Sequence, residues 1–466
     1  MQSAQADFVA DQQGGPSGAT SVASLTDILL YSPLGRKYGN AVYYRPEGRS
    51  IGNQEDRSMT NIDGATAIAE TIAGYEDAMV AFTSDLIAIA SENPPGLAYR
   101  ACVDRIAAEL AAFGQQATLI ETRGTQTSEP GYCLTSGYGV GTPTLYFHGH
   151  YDVVPAVHQE QFQPHVRDGR LYGRGSSDMK GGVAAMIYAL RALKERRIPL
   201  AGRVALMLVP DEETGGDRGS RALVEMGLLG RDGVGMLTAE PTDGAIWNAN
   251  RGAISLTVTV HGRSAHVGLH YLGVNAFEQM LRVADALSEL KCEVAARQTG
   301  YHIEPEAARG SILMMGGRSE GGSNFNLVPE SCMFTVDRRI NPEEDLASEK
   351  RRLLDVFDRL RHEGIDLEVD IFQEAPSSGI DEQHPLAQAL ARNVARVTGQ
   401  APSFALCPGL LETRWYAQRG VPAFAYGPGL LTVSHGPEEY IPIENLTQAA
   451  TIYALTARDT LAGGER

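Results

Sequence analysis

From Tyr75 onward the chain alternates short apolar runs with amphipathic segments, and one block of a different kind interrupts that alternation. Thr144–Phe147, Val204–Val209, Val234–Leu237 and Ala423–Tyr426 read as strands. Tyr75–Ser91, Tyr99–Phe113, Met179–Arg196, Ser220–Met226, Pro385–Thr398 and Leu446–Leu461 read as helices. Strands and helices in that order build a mostly parallel sheet covered on both faces. The interruption follows Arg251. Ile254–Val260 alternates strictly, and then come helix Asn275–Lys291, strands Ser311–Met315 and Ser331–Val336, helix Pro342–His362 and strand Ile365–Ile371. The order β-α-β-β-α-β is that of a ferredoxin-like module, set between two stretches of the larger pattern. The expected fold is therefore α/β: residues 75–253 and 372–466 form a mostly parallel sheet domain in two pieces, and 254–371 form an inserted domain. Residues 1–74 form an N-terminal extension. Gly, Ser, Gln and Asp dominate its first 22 residues, and it reads as a mobile terminus with some ordered loop.

Composition removes several classes of function. Lys plus Arg is 40 against 57 Asp plus Glu, a formal net charge of -17, which argues against nucleic acid or an anionic membrane as partner. The five cysteines are scattered, odd in number and without a CxxC pair, which argues against a disulfide framework and a thiolate zinc site. A reducing compartment, the cytoplasm, is the natural expectation. No apolar run reaches membrane-spanning length. The first residues lack the basic and apolar regions of a signal peptide.

Five segments carry an acidic residue or His just after an apolar run: Leu145–Pro155, Gly173–Gly182, Val204–Gly215, Met236–Pro241 and Ala423–Gly436. In an open α/β sheet such positions converge at the carboxyl ends of the strands. Converging, they supply His150, Asp178, Glu213, Glu240 and His435. Two imidazoles and three carboxylates carry too much charge for one zinc ion but suit two, with one carboxylate bridging. Asp178 is the best bridge, because it opens a helix at a Gly-rich turn where backbone can approach closely. A water between the ions would have its pKa lowered toward neutrality. Asp152, two residues from His150, could accept the proton on the other ring nitrogen. Glu212 is then free to act as general base. Each segment alone has a plain reading as a loop pair, a solvated helix start or a turn; all five in this order do not.

These motifs — GHYDVVP, GRGSSDMKGG, DEETGG, AEPT and SHGPEE — resemble those of the acetylornithine deacetylase and succinyl-diaminopimelate desuccinylase family of co-catalytic metallohydrolases, which includes aminoacylases and glutamate carboxypeptidases. The resemblance runs from about Tyr75 to the C-terminus. It implies a zinc-peptidase-like sheet domain and an inserted lid and dimerisation domain. It implies one metal on His150, Asp178 and Glu240 and a second on Asp178, Glu213 and His435, with zinc expected and cobalt or manganese as alternatives. Asp152 matches the residue that orients the His, and Glu212 the base. On the lid, His266 resembles a residue that reaches a neighbouring subunit's site to stabilise the oxyanion. Asn326 matches a polar residue near the substrate, and Arg339 and Arg414 resemble carboxylate-binding arginines. His148 departs from the pattern and reads as a core or supporting residue. The function so implied is hydrolysis of the amide C–N bond in an N-acyl amino acid or similar small carboxylate-bearing amide, by a homodimer or higher homo-oligomer. The rival readings are a carboxypeptidase or dipeptidase, or a C–N hydrolase for an unusual aryl or heterocyclic amine. The intact ligand set and Glu212 weigh against an inactive binding relative.

Overall fold

The computed structural model describes residues 64–125 and 129–462. The helices α1 (Gly64–Ala73), α2 (Glu76–Ala88) and α3 (Tyr99–Ala112) come first. The strands β1 (Thr118–Arg123), β2 (Pro130–Gly139) and β3 (Thr144–His150) follow, then two short strands, β4 (His165–Arg167) and β5 (Arg170–Tyr172). Next are α4 (Gly181–Glu195), β6 (Arg203–Val209), α5 (Ser220–Glu225), β7 (Gly233–Thr238) and β8 (Ile246–Asn250). The interrupting block is β9 (Gly252–His261), α6 (Ala276–Ala295), β10 (Ile312–Gly321), β11 (Ser331–Ile340), α7 (Leu346–His362) and β12 (Leu367–Ala375). The chain finishes with β13 (Ser378–Gly379), α8 (Pro385–Thr398), β14 (Phe404–Cys407), α9 (Thr413–Ala417), β15 (Ala423–Ala425), β16 (Tyr440–Pro442) and α10 (Ile443–Thr460).

The larger sheet has the strand order β1-β2-β6-β3-β7-β15-β8-β13, with β14 also paired to β8. Its centre, β6-β3-β7-β15, is parallel throughout, whereas β1, β2, β8 and β13 add antiparallel pairings at the flanks. The parallel centre is the part that strand–helix alternation foretells, because parallel neighbours need a crossover between them. Side chains of β3 alternate between two cores. Leu145 and Phe147 join α4, α8 and α10 on one face, and Tyr146 joins residues of α5 and α9 on the other.

The smaller sheet has order β10-β11-β9-β12, antiparallel throughout, and matches the ferredoxin-like order. One face of it is apolar. Ile254, Leu256, Val258 and Val260 of β9 pack with Val283 and Leu287 of α6 and with Leu353 and Phe357 of α7. This period-2 burial against helices is why the block is so readable as sequence.

The last part of the presumed extension is not loop. Gly64–Ala73 is a helix whose Ala65, Ile68 and Ile72 are buried in the main core, and it packs against α10 and α4. Its apolar positions recur at i, i+3 or i+4, as a helix with one buried face requires. The expected mobile terminus otherwise concerns residues 1–63, which lie outside those described. Among the described residues no helix is long and apolar enough to cross a membrane. All five cysteines are free.

Candidate metal centre

The four parallel strands all run toward one edge of the sheet, and the five motifs meet there. β3 ends on His150; β6 runs into the Glu212–Thr214 turn; β7 leads to Glu240; the loop after β15 brings His435. Asp178 arrives on the short turn Ser176–Lys180, where its own backbone is extended (φ -125°, ψ 99°), just before α4. Close approach there needs glycine: a Cβ on Gly182 would lie 2.6 Å from the Ala239 carbonyl oxygen, beside Glu240.

Asp178 stands between two imidazoles. Asp178 Oδ1 lies 3.2 Å from His150 Nε2, and its Oδ2 lies 3.2 Å from His435 Nε2. Glu240 Oε2 stands 3.9 Å from His150 Nε2, and Glu213 Oε1 3.4 Å from His435 Nε2. His150, Asp178 and Glu240 form one group with ligand atoms within 4.8 Å of one another; Asp178, Glu213 and His435 form a second. Ligand atoms roughly 2.0–2.2 Å from a tetrahedral ion stand roughly 3.3–3.6 Å apart, so these separations suit divalent metal. Glu213 Oε1 is also buried and, apart from the 3.4 Å approach of His435 Nε2, makes no hydrogen bond, an arrangement a cation would satisfy. The donor set is all oxygen and nitrogen.

Charge tells the same story. Burial pushes the Glu213 carboxyl up to about 7 and raises Glu240 as well. Burial also opposes ionisation of Asp178, but the hydrogen bonds from His150 and His435 overcome it and hold that carboxyl below its ordinary range. Asp178 and Glu213 in turn hold the His435 imidazolium up to about 10. Burial alone would lower His150, yet its bonds to Asp152, Asp178 and Glu240 raise it well above its usual value. The anions outnumber the protein's own cations, and two divalent ions would offset the excess.

Asp152 lies under the site. His150 Nδ1 is 3.0 Å from the Asp152 backbone carbonyl and 3.5 Å from its carboxylate. The carboxylate itself accepts the backbone N–H groups of Glu212 and Glu213, and the Asn93 side-chain amide at 2.9 Å. It therefore ties β3 to the turn that carries Glu212. Burial holds the Glu212 carboxyl well above its ordinary range.

Of the remaining sequence candidates, Arg414 adjoins the Glu212–Thr214 turn, and His266, Asn326 and Arg339 belong to the smaller module. His266 and Asn326 sit side by side on the smaller module, where the Val267 N–H donates to the Asn326 carbonyl at 2.9 Å and His266 pairs with Leu327. His266 is exposed and its Nδ1 accepts from the Gly268 N–H. Arg339, on β11, is half-buried and bound to Asp337 at 3.0 Å. Arg414 is only 2% exposed, and its guanidinium donates to the carbonyls of Leu411 (2.7 Å) and Gly215 (3.1 Å). His148 is buried between Tyr416 and Glu412, each at 3.0 Å.

Two residues of the centre escape sequence reasoning: Arg174 and Glu439. Both are buried, joined at 2.5 Å, and Glu439 accepts the backbone N–H groups of Ser177 and Asp178. They stand inside the GRGSSD and SHGPEE motifs, but a Gly-flanked Arg and a Glu-Glu pair after proline look like solvated loop.

A parallel-centred α/β sheet with paired His–carboxylate groups at its carboxyl edge, plus a ferredoxin-like insert, defines a class of dinuclear metallohydrolase. The chain belongs to that class: residues 146–459 match the model of peptidase family M20/M25/M40, and the chain is a member of that family and a hydrolase of amide or peptide bonds. It is 28% identical over 337 residues to a probable succinyl-diaminopimelate desuccinylase from Staphylococcus epidermidis, covering 66% of this chain and 81% of that one. Its fold is similar to that of a di-peptidase from Saccharomyces cerevisiae (TM-score 0.68, 15% identity, 86% of this chain and 99% of the other). It is also similar to a dinuclear metal-binding M20 peptidase from Bacillus subtilis (TM-score 0.61, 15% identity, 84% and 99%).

Proposed function

We propose that this protein hydrolyses the amide C–N bond of an N-acyl amino acid or a similar small amide bearing a carboxylate. The observation that carries the reading is Asp178, whose two oxygens each face a different imidazole. His150, Asp178 and Glu240 would hold one divalent ion, and Asp178, Glu213 and His435 the other. Zinc fits this nitrogen and oxygen set best, with cobalt or manganese as alternatives. Bound there, such ions would supply Lewis-acid polarisation of the amide carbonyl and a water of lowered pKa.

The chain's own residues do the rest. Glu212 takes a proton from the attacking water as its oxygen bonds to the amide carbon, and delivers it to the leaving nitrogen as the C–N bond breaks. Asp152 keeps Glu212 and His150 in fixed relation. Residues 254–371 act as a lid: His266 donates to the oxyanion, Asn326 contacts the substrate, and Arg339 grips its carboxylate. Arg414, spent on backbone carbonyls, supports the Glu212 turn from below. Exposed Phe277 and Leu281 on α6, with Ile312 and Met314 on edge strand β10, support a homo-oligomer formed through this module. The five free cysteines suit the cytoplasm.

The test is a panel of N-acyl amino acids and dipeptides given to metal-loaded protein, beside Glu212→Ala. Turnover of the acylated amino acids, abolished in the variant, is expected. Turnover of dipeptides alone would move the assignment to a dipeptidase, and no turnover of any amide would end it.

A further inference from the structure

Arg174 and Glu439 form a buried ion pair that touches no proposed substrate and no proposed ligand side chain. Their side chains are 1% and 0% exposed. The pair nonetheless bonds to the backbone of several parts of the centre. Glu439 Oε1 accepts the N–H groups of Ser177 (3.0 Å) and Asp178 (3.1 Å). Glu439 Oε2 accepts from Arg174 Nη1. Arg174 Nη2 donates to the carbonyl of His435 at 3.2 Å and to that of Pro155 at 3.4 Å. One charge-assisted unit therefore fixes the turn bearing Asp178, the loop bearing His435 and the segment after His150 and Asp152.

Asp178 belongs to both ligand groups, so the two candidate ions share that part of the unit and differ in the ligands beside it. His150 closes a central strand and is 1% exposed, and Glu240 is 7% exposed beside the end of β7. His435 lies on a loop, is 49% exposed, and has a left-handed backbone (φ +63°), which a non-glycine residue holds only when its surroundings enforce it. Two side-chain bonds brace that loop, Arg174 to the His435 carbonyl and Gln161 Nε2 to the Gly436 carbonyl at 3.0 Å, beside the Gly436 N–H to Val433 carbonyl bond of the turn itself.

We propose that Arg174 and Glu439 are positioning residues that selectively govern retention of the ion on the His435 side. The inference rests on the metal-dependent reading of the site. The experiment is a stepwise titration of the whole apo-protein with cobalt(II) against a competing chelator, followed by visible absorption. Wild type must first bind two ions; if it does not, the metal reading fails rather than this inference. His435→Ala identifies the step belonging to that side. In Arg174→Lys the guanidinium fork is lost while the charge stays, and that step should weaken about 10- to 100-fold, the range found when outer partners of metal ligands are changed. The other step should stay within about 3-fold, a difference small beside that range. Glu439→Gln, which sets an amide against Arg174, should shift the same step, and the exposed neighbour variant Glu438→Gln should shift neither. Unchanged affinity in both pair variants, equal loss of both steps, or loss of helical circular dichroism would each overturn the proposal, because each reports no role or only a general structural one.

Discussion

Asp152 holds Glu212 by its backbone: Asp152 Oδ1 accepts the Glu212 N–H at 3.2 Å while its other oxygen accepts that of Glu213 at the same distance. The proposed base and a proposed ligand of the second group are thus anchored to the strand end that carries His150. Asp152→Asn replaces one acceptor oxygen with a donor, so one of those two N–H groups loses its partner. The expected result is a fall in metal affinity of about 10- to 100-fold together with a lower kcat. Metal titration and steady-state kinetics on the same preparation check it.

Glu212→Gln keeps the shape of the proposed base and removes its ability to take a proton. A fall in kcat of roughly 10²- to 10⁴-fold is expected, the usual worth of a positioned acid–base group. Metal content should be unchanged, because Glu212 belongs to neither ligand group. A variant that lost metal in proportion to activity would assign Glu212 to binding instead.

Ions held between segments far apart in the chain stabilise only the folded state. Ligand present at about 100 times its Kd adds about 2.7 kcal/mol per site. Chelation should therefore lower Tm, and returning metal should restore it. Scanning calorimetry of apo and reloaded protein measures this, and identical Tm values would contradict it.

Helix α1 makes its own prediction. Ile68 is fully buried in the main core, so Ile68→Ala should cost about 2–5 kcal/mol in a denaturant titration. A cost below about 0.5 kcal/mol, the size of a surface change, would place α1 outside the cooperative unit.

Acid should loosen the smaller module through Glu344. Burial opposes ionisation of this carboxyl, but bonds from Ser311, the Asn341 N–H and Arg297, with the charge of Arg338, hold it below its ordinary value of 4.5. A depressed folded pKa stabilises fully above the unfolded value and less as pH falls through the folded one. Stability should thus decline below about pH 4.5, and Glu344→Gln should flatten that decline. Denaturant midpoints measured from pH 6 to about pH 3 test the slope.

Much of this architecture was open to reading because function and folding use the same pattern. The strand ends at His150, Val209 and Thr238 are apolar runs meeting a polar residue, and the insert alternates cleanly along β9 and β11. What stayed hidden lacks such contrast. Strand β1 lies at the sheet edge with only Thr122 fully buried, so its sequence TLIETR shows no inward face. Strand β8, IWNAN, is buried throughout yet contains two asparagines, whose amides are satisfied by the Ile380 and Arg251 carbonyls. Helix α1 follows a polar stretch and is mostly Ala, Thr and Ile. Arg414 shows the limit of sequence reading for guanidinium groups, since that chemistry suits a substrate carboxylate and backbone carbonyls equally well; the carbonyls of Leu411 and Gly215 that it meets lie far from one another in sequence.

The chain leaves the larger sheet and returns to it at nearly the same point. Asn250 pairs with Ser378, Ala253 pairs with Ala375, and a Cβ on Gly252 would stand 2.6 Å from the Ala375 carbonyl oxygen. Both crossings therefore form one two-stranded ribbon, a hyphen rather than a pair of separate tethers. A module joined in this way can be lengthened, exchanged or lost without changing the path of any strand in the sheet it interrupts. The sheet edge and the inserted module are thus free to diverge along separate evolutionary lines within one gene.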